Sequence, residues 1–284
     1  MTYRRQATGP TLAQLILSVL GAGLFAGFVA GLFGIGGGIV IVPALYAVFG
    51  FLHVDPEVRT HLAIGTSLST IIMTSLRSLA SHHARGAVDF TVLKNWTPWI
   101  AVGAVLGAVA ADIMSARLLT TVFALGAFAV AVRAAFDGKA ARAPSRPPRQ
   151  MPEGPLRVGM ATGTGFFSSL FGIGGGVFGV VVMTRFGREV HQAVGTSAGF
   201  GLAIAVPGAI AFMATGWNAA GLPVGSVGYV NLIGFAIIAA MATITTPMGV
   251  RLAHRMNRLV LLRLFAAYVA LTAVAMLYAT LAQG

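Results

Sequence analysis

The groups best placed to do chemistry in this chain are backbone amides and hydroxyls rather than carboxylates or thiols. FGIGGG stands at Phe33 to Gly38 and again at Phe171 to Gly176, each time inside an apolar stretch. Gly34, Gly36, Gly37 and Gly38, with their counterparts Gly172, Gly174, Gly175 and Gly176, each cost a helix about 1 kcal/mol relative to alanine. A helix broken at such a run turns sharply and leaves unpaired N–H groups at the start of the next helix, near Ile39 and Val177. A helix start of that kind attracts anions, and discontinuous helices in transporters use it that way near the midplane of the bilayer. The competing reading is tight packing of a hairpin through small residues, and the two are compatible. Neither GIGGG is followed by Gly-Lys-Ser/Thr, so a nucleotide-binding loop does not fit.

A second pair of motifs follows the first. HLAIGTS at His61 to Ser67 is answered by HQAVGTS at His191 to Ser197. Thr66, Ser67, Thr196 and Ser197 sit one to two turns into apolar spans, where a hydroxyl can donate to a substrate oxyanion or bond back to its own helix. His61 and His191, a turn earlier, are candidate proton carriers or simple helix-start hydrogen-bonders. Arg77 is the basic residue deep in a span, a place where a charge needs a partner. A permeating anion, a set of carbonyls, or snorkelling to the nearby interface would each satisfy it. His82 and His83 are adjacent and so diverge on a helix, which makes a poor metal site, and no catalytic cluster, cofactor motif or metal motif accompanies them.

These residues need apolar elements to hold them. Of the 284 residues, 57% are hydrophobic and 9% charged, against about 25% charged in ordinary soluble domains. Mean hydropathy is +0.85. Apolar stretches of about 20 residues recur between short polar loops, so the lipid bilayer is the solvent. The 7 acidic residues fall in loops or at span ends, and the absence of cysteine removes thiolate catalysis and thiolate metal sites. The net charge of +12 resides in loops between spans, as membrane topology requires, rather than in a nucleic-acid-binding face. The first apolar segment, from Leu12, lacks a small-residue cleavage site and reads as retained.

The repeated motifs occur in the same order twice, with a weaker third echo pairing Gly107 and Ala111 with Gly249 and Ala253. This predicts a first membrane repeat over 1–136, an Arg/Pro-rich cytoplasmic linker over 137–155 and a second repeat over 156–284. Three spans follow each glycine motif, at about 60–82, 92–111 and 116–136, then about 191–214, 228–249 and 259–281. Setting the linker and the Arg251 to Arg263 loop inside the cell places 14 of the 19 basic residues there. Arg4, Arg5, Arg59 and Arg117 fall outside, and Arg77 lies within a span. The two sets of spans then run in opposite directions, an inverted repeat, and each glycine segment must enter and leave on one side. The second, about 157–186, has arms of about 14 and 11 residues, or about 21 and 17 Å, too short for a hydrocarbon core of about 30 Å. A hairpin that dips in is the expectation. For the first segment the symmetry puts the N-terminus outside, although Arg4 and Arg5 prefer the cytoplasm. Gly23, Gly27 and Gly31, and Gly103 with Gly107, read as helix-packing ridges. The expected fold is thus an all-α integral membrane protein of two inverted-topology repeats, each a glycine-broken hairpin plus three transmembrane helices.

GLFGIGGGIVIVPAL, its echo SLFGIGGGVFGVVVM, the two GTS motifs and SHHARGAVDF together resemble the TauE/SafE sulfite exporter family over nearly the whole chain. The resemblance implies a multi-pass transporter of a small sulfur-containing oxyanion, sulfite or an organosulfonate, in the bacterial inner membrane. It carries over the eight motif glycines with Thr66, Ser67, Thr196 and Ser197 as substrate-binding residues, and leaves Arg77 to the physical argument alone. An inside-negative potential drives anions outward by about 2.3 kcal/mol per charge per 100 mV, and no span carboxylate is available for coupled uptake, so export by alternating access is expected. The competing readings are an importer, an anion channel, and an intramembrane enzyme with His82 or His83 as base. No cofactor is implied, and the sequence carries no signal of oligomeric state.

Overall fold

The computed structural model describes residues 38–136 and 150–282, together with 20, 21, 23–29 and 32. The break at Phe33 to Gly37, the N-terminal segment and most of the linker lie outside the described residues. The elements, in chain order, are α1 (Gly38–Phe51), α2 (Pro56–His83), α3 (Phe90–Asp112), α4 (Ala116–Phe136), α5 (Gly154–Leu170), α6 (Gly176–Arg185), α7 (Val190–Thr215), β1 (Ser226–Val227), β2 (Val230–Asn231), α8 (Leu232–Arg255) and α9 (Arg258–Leu281). Six of these helices, α2, α3, α4, α7, α8 and α9, are long and apolar enough to cross a membrane, which makes this a helical multi-pass membrane protein.

The helices begin where side chains can receive their first N–H groups. Asp55 accepts from Glu57 N at 3.0 Å with Pro56 opening α2, and Asp89 accepts from Val92 N at 3.0 Å at the start of α3. Asn231 accepts from Gly234 N at 2.7 Å for α8, and Asn257 accepts from Leu259 N at 2.9 Å for α9. The expected spans match these helices to within a few residues, except at α8. There, the stretch from Gly228 through Tyr229 and Val230 reads as the beginning of a span because it carries no charge. Instead Gly228 turns with φ at +54°, β1 pairs with β2, and the Asn231 cap starts the helix at Leu232.

Two faces can be told apart from the loops. Arg188, just past α6, pairs with Asp89 at 3.4 Å, and both line a cavity of about 240 Å³ with Glu153 and Arg157 at the start of α5. The α5–α6 segment therefore enters and leaves on the face that carries the α2–α3 loop. Its arms of 17 and 10 residues rise about 25 and 15 Å, short of a full crossing, so the segment is the expected hairpin. The other face gathers Asp55 and Glu57 at the start of α2, Arg117 at the start of α4 and Thr280 at the end of α9.

Small residues set the tightest helix contacts. A Cβ on Gly103 would come 2.8 Å from Thr162 C, one on Gly107 3.1 Å from Phe166 C, and one on Gly165 2.8 Å from Ile100 C, so α3 and α5 touch backbone to backbone. In the same manner Gly23 and Gly27 lie against Met241, Ala242 and Thr245 of α8, and Thr246 Oγ1 donates to Gly27 O at 3.1 Å. Gly31 is outside the described residues. The buried centre lies between α2 and α7, where Leu62, Ile64, Leu68, Phe200, Ile204 and Phe212 are sealed.

Candidate functional site: the glycine breaks between α2 and α7

The second break is built by a helix stop. Phe171 ends α5, Gly172 follows at φ +58°, Gly172 N donates to Ser169 O at 3.0 Å and Ile173 N to Ser168 O at 2.8 Å. This paired pattern closes a helix with a left-handed residue, which only glycine adopts without steric cost. The chain then restarts as α6 from Gly175, with no side chain capping its first amides, and Gly176, Val177 and Phe178 are only half-buried. The positive end of the α6 dipole is thus left to whatever occupies the space before it.

The start of α1 meets the second break. A Cβ on Gly38, at the start of α1, would fall 2.7 Å from Ile173 Cα and closer still to the Gly172 carbonyl oxygen. Of the first motif, Gly34, Gly36 and Gly37 lie outside the described residues, so Gly38 alone reports its position. Ser67 of α2 donates to the Gly172 carbonyl at 3.0 Å, and Ile64 and Ile71 pack on either side. From α7, the Ser197 hydroxyl lies against the bare face of Gly179 in α6, where a Cβ would come 2.6 Å from it. Ser197, Ser168 and Ser169 are all at 0% exposure, and their hydroxyls have no hydrogen-bond partner. Three orphaned buried hydroxyls around one helix break are an unusual concentration, since most buried polar groups are paired. Gly174 and Gly175 are buried in the same break, where Gly175 passes backbone to backbone against Gly201.

The threonines of the two GTS motifs do something the sequence did not suggest. Thr66 Oγ1 accepts from Asn231 N at 2.9 Å, and Thr196 Oγ1 accepts from Asp89 N at 2.9 Å. Asn231 and Asp89 are the capping residues of α8 and α3. The preceding glycines make room for the same loops: a Cβ on Gly65 would come 3.0 Å from Tyr229 C, and one on Gly195 2.9 Å from Ala87 C. In both motifs, therefore, glycine admits a loop backbone, threonine holds the cap of a span from the other half of the chain, and serine packs on a glycine of the α5–α6 hairpin. The capping residues themselves were missed; their signal was a lone Asp or Asn directly before an apolar run.

The remaining candidates are dispersed. Arg77 lies on an exposed side of α2, about 15 Å along the helix from Ser67, and its Nη1 donates to Thr243 Oγ1 of α8 at 2.9 Å. His61 is buried, stacked on Tyr229 with ring centres 4.8 Å apart, and its Nε2 lies 2.9 Å from Ala111 O. A carbonyl can only accept, so that nitrogen carries the proton, and Nδ1 is left without a partner. Burial, helped by Asp112, raises the Tyr229 phenol above its ordinary range. His191 is exposed at the opposite face, in a cavity of about 480 Å³ shared with Arg85, Arg188 and Glu189. The two histidines, equivalent in sequence, thus end in unlike surroundings. Arg59, counted among the residues on the outer side, is buried in the first turn of α2, where its guanidinium lies over the Tyr46 ring and donates to Val54 O. Among the described residues no group of acidic or histidine side chains is arranged to hold a metal.

Several apolar spans, a hairpin that stops halfway and a neutral, hydroxyl-lined break between two long helices define the class: a multi-pass membrane transporter protein. The family description "Sulfite exporter TauE/SafE" matches residues 19–276, and the chain belongs to that family. A "Probable membrane transporter protein" of Haemophilus influenzae is 31% identical over 82% of this chain and 87% of its own length. The "Probable membrane transporter protein YunE" of Bacillus subtilis is 30% identical, covering 85% and 94% respectively. A third such protein, from Methanocaldococcus jannaschii, is 25% identical over 83% and 85%. No solved structure gives a significant match.

Proposed function

We propose that this protein exports a small sulfur-containing oxyanion, sulfite or an organosulfonate, across the bacterial inner membrane by alternating access, with the substrate held where the glycine breaks meet. The observation that carries the reading is the contact of Gly38 with the Gly172 to Ile173 turn, beside the uncapped start of α6 and the partnerless Ser197 hydroxyl. An oxyanion needs donors, and this break offers backbone amides and serine hydroxyls with no carboxylate among the described side chains that surround it. Neutral donors also release the anion again, which a salt bridge would resist.

Two inverted halves, 1–136 and 156–284 joined by 137–155, provide the moving parts in this proposal. The exchange of loops supports the inversion: Thr66 holds the cap of α8 at one face, and Thr196 holds the cap of α3 at the other. Rocking α2 against α7 would expose the break to each face in turn. Arg77 stands on the α2 segment between the break and the Asp89 face, where a guanidinium concentrates anions before they reach the serines. The face bearing Arg85, Arg157 and Arg188 is cytoplasmic by the positive-inside rule.

The test is efflux of radiolabelled sulfite from liposomes reconstituted with the purified protein, with and without an imposed inside-negative potential. Saturable efflux accelerated by the potential is the expected result. Absence of flux for sulfite and for every sulfonate tried would end the proposal, and flux that never saturates would make the protein a channel.

A further inference from the structure

Arg59 is a buried charge without a counter-charge among the described residues. It is 8% exposed, its Nη2 donates to Val54 O at 2.8 Å, its guanidinium carbon stands 5.5 Å from the centre of the Tyr46 ring, and its Nε has no partner. Among the described residues no carboxylate pairs with it, since Asp55, one turn earlier, is turned to cap α2 through Glu57 N. A desolvated guanidinium held this way has one backbone carbonyl and one aromatic face in place of an anion, which leaves most of its charge unanswered.

Its surroundings say what kind of anion it would meet. Arg59 lines a cavity of about 300 Å³ between α1 and α9, whose walls are Pro43, Ala47, Met276, Ala279 and the methyl side of Thr272. The Thr272 hydroxyl is turned into its own helix, donating to Tyr268 O and Val269 O at 3.0 Å each, so the wall it presents is apolar. The guanidinium sits within one turn of the ends of α1, α2 and α9, the level of the membrane interface. From Ala279 to Thr272 the groove descends about 10 Å along α9 towards the bilayer centre. A small hydrated anion would find one donor and a wall of hydrocarbon. An anionic head on an acyl chain would find both of its halves matched.

We propose that this groove is a binding site for an anionic phospholipid, with the phosphate on Arg59 and an acyl chain along α1 and α9. The site is separate from the glycine breaks and does not depend on what the protein transports. Its occupant would brace the far end of α1, the helix whose start packs against the Gly172 to Ile173 turn.

The test uses the full chain purified in a neutral detergent, with thermal denaturation followed as phosphatidylglycerol or phosphatidylcholine of the same chains is added. Phosphatidylglycerol raises the midpoint by about 3 °C or more over phosphatidylcholine, and Arg59→Gln removes the difference. Ala47→Phe, which fills the groove while leaving Arg59 and its bond to Val54 O in place, removes it as well, and this variant decides the matter should Arg59→Gln fail to fold. Equal effects of the two lipids, or an undiminished preference in Ala47→Phe, would overturn the proposal. So would an equal, Arg59-dependent rise with inorganic phosphate or sulfite alone, which would assign the guanidinium to a soluble anion.

Discussion

Replacing Ser67 and Ser197 by alanine, one at a time, separates a structural hydroxyl from one kept for substrate. The two serines occupy matching positions in the GTS motifs and are equally buried, at 0% exposure. Ser67 is committed, donating to the Gly172 carbonyl at 3.0 Å, whereas Ser197 Oγ has no partner. Ser67→Ala strands a buried carbonyl at the tightest point of the break and should cost about 1–3 kcal/mol. At about 2–4 °C per kcal/mol for a chain of this size, the melting midpoint in detergent falls by several degrees. Ser197→Ala removes a hydroxyl whose desolvation nothing offsets, so its stability should be unchanged or higher by about 1 kcal/mol. Transport should respond in the opposite sense. A hydroxyl donating to an anionic oxygen contributes about 1.5–3 kcal/mol, so Ser197→Ala should weaken sulfite binding by roughly 10-fold to 100-fold, read by thermal-shift titration and liposome efflux. A Ser197→Ala protein as destabilised as Ser67→Ala would mean that Ser197 has a structural partner. One that is stable and binds sulfite normally would remove Ser197 from the substrate site.

The other expectations concern the hairpin turn, the loop anchors and the charge on α2. Gly172→Ala places a Cβ at φ +58° and 2.9 Å from Val42 Cγ2, and should lose about 2–4 kcal/mol, while Gly159→Ala on the open side of α5 should gain up to about 1 kcal/mol; equal midpoints for the two variants would contradict the turn geometry. Thr66→Val and Thr196→Val each leave the N–H of a capping residue unpaired and should cost about 1–3 kcal/mol; because the anchors lie near opposite faces, the double variant should show the sum, and strong non-additivity would argue against two independent anchors. Arg77→Ala gives up one surface hydrogen bond to Thr243, so the midpoint should move little while the sulfite concentration for half-maximal flux rises about tenfold; unchanged affinity would remove Arg77 from the anion path.

Much of the architecture was legible because the bilayer imposes a rule that a linear chain must obey. A span needs about 20 apolar residues with every backbone group paired inside its own helix, so five of the six long helices were placed to within a few residues by hydropathy and charge. The α5–α6 hairpin followed from arm length alone. Its tip was legible for a related reason, since a run of glycines in an apolar helix is costly wherever it stands. The beginning of α8 was not, because the residues of the β1–β2 turn are as apolar as a span and only their pairing sets them apart. The burial of Arg59 was not legible because hydropathy treats every arginine as soluble, whereas the Tyr46 ring and the Val54 carbonyl make burial tolerable for this one.

The candidate site divides along the same line. Glycine breaks, hydroxyl pairs and the duplication that relates them are properties of residue type and spacing, and they were present in the chain before it folded. Which partner each hydroxyl meets is decided by contacts between residues far apart in sequence. Thr66 and Asn231 are joined by a 2.9 Å hydrogen bond, and the repeat alone could not show that both GTS threonines anchor the cap of a helix from the other half of the chain. Nor could it show that Ser67 is spent on the Gly172 carbonyl while Ser197 is free. Periodicity and composition act locally and survive in any conformation. Hydrogen-bond partners are a property of three-dimensional packing, where two motifs of similar sequence meet unlike surroundings.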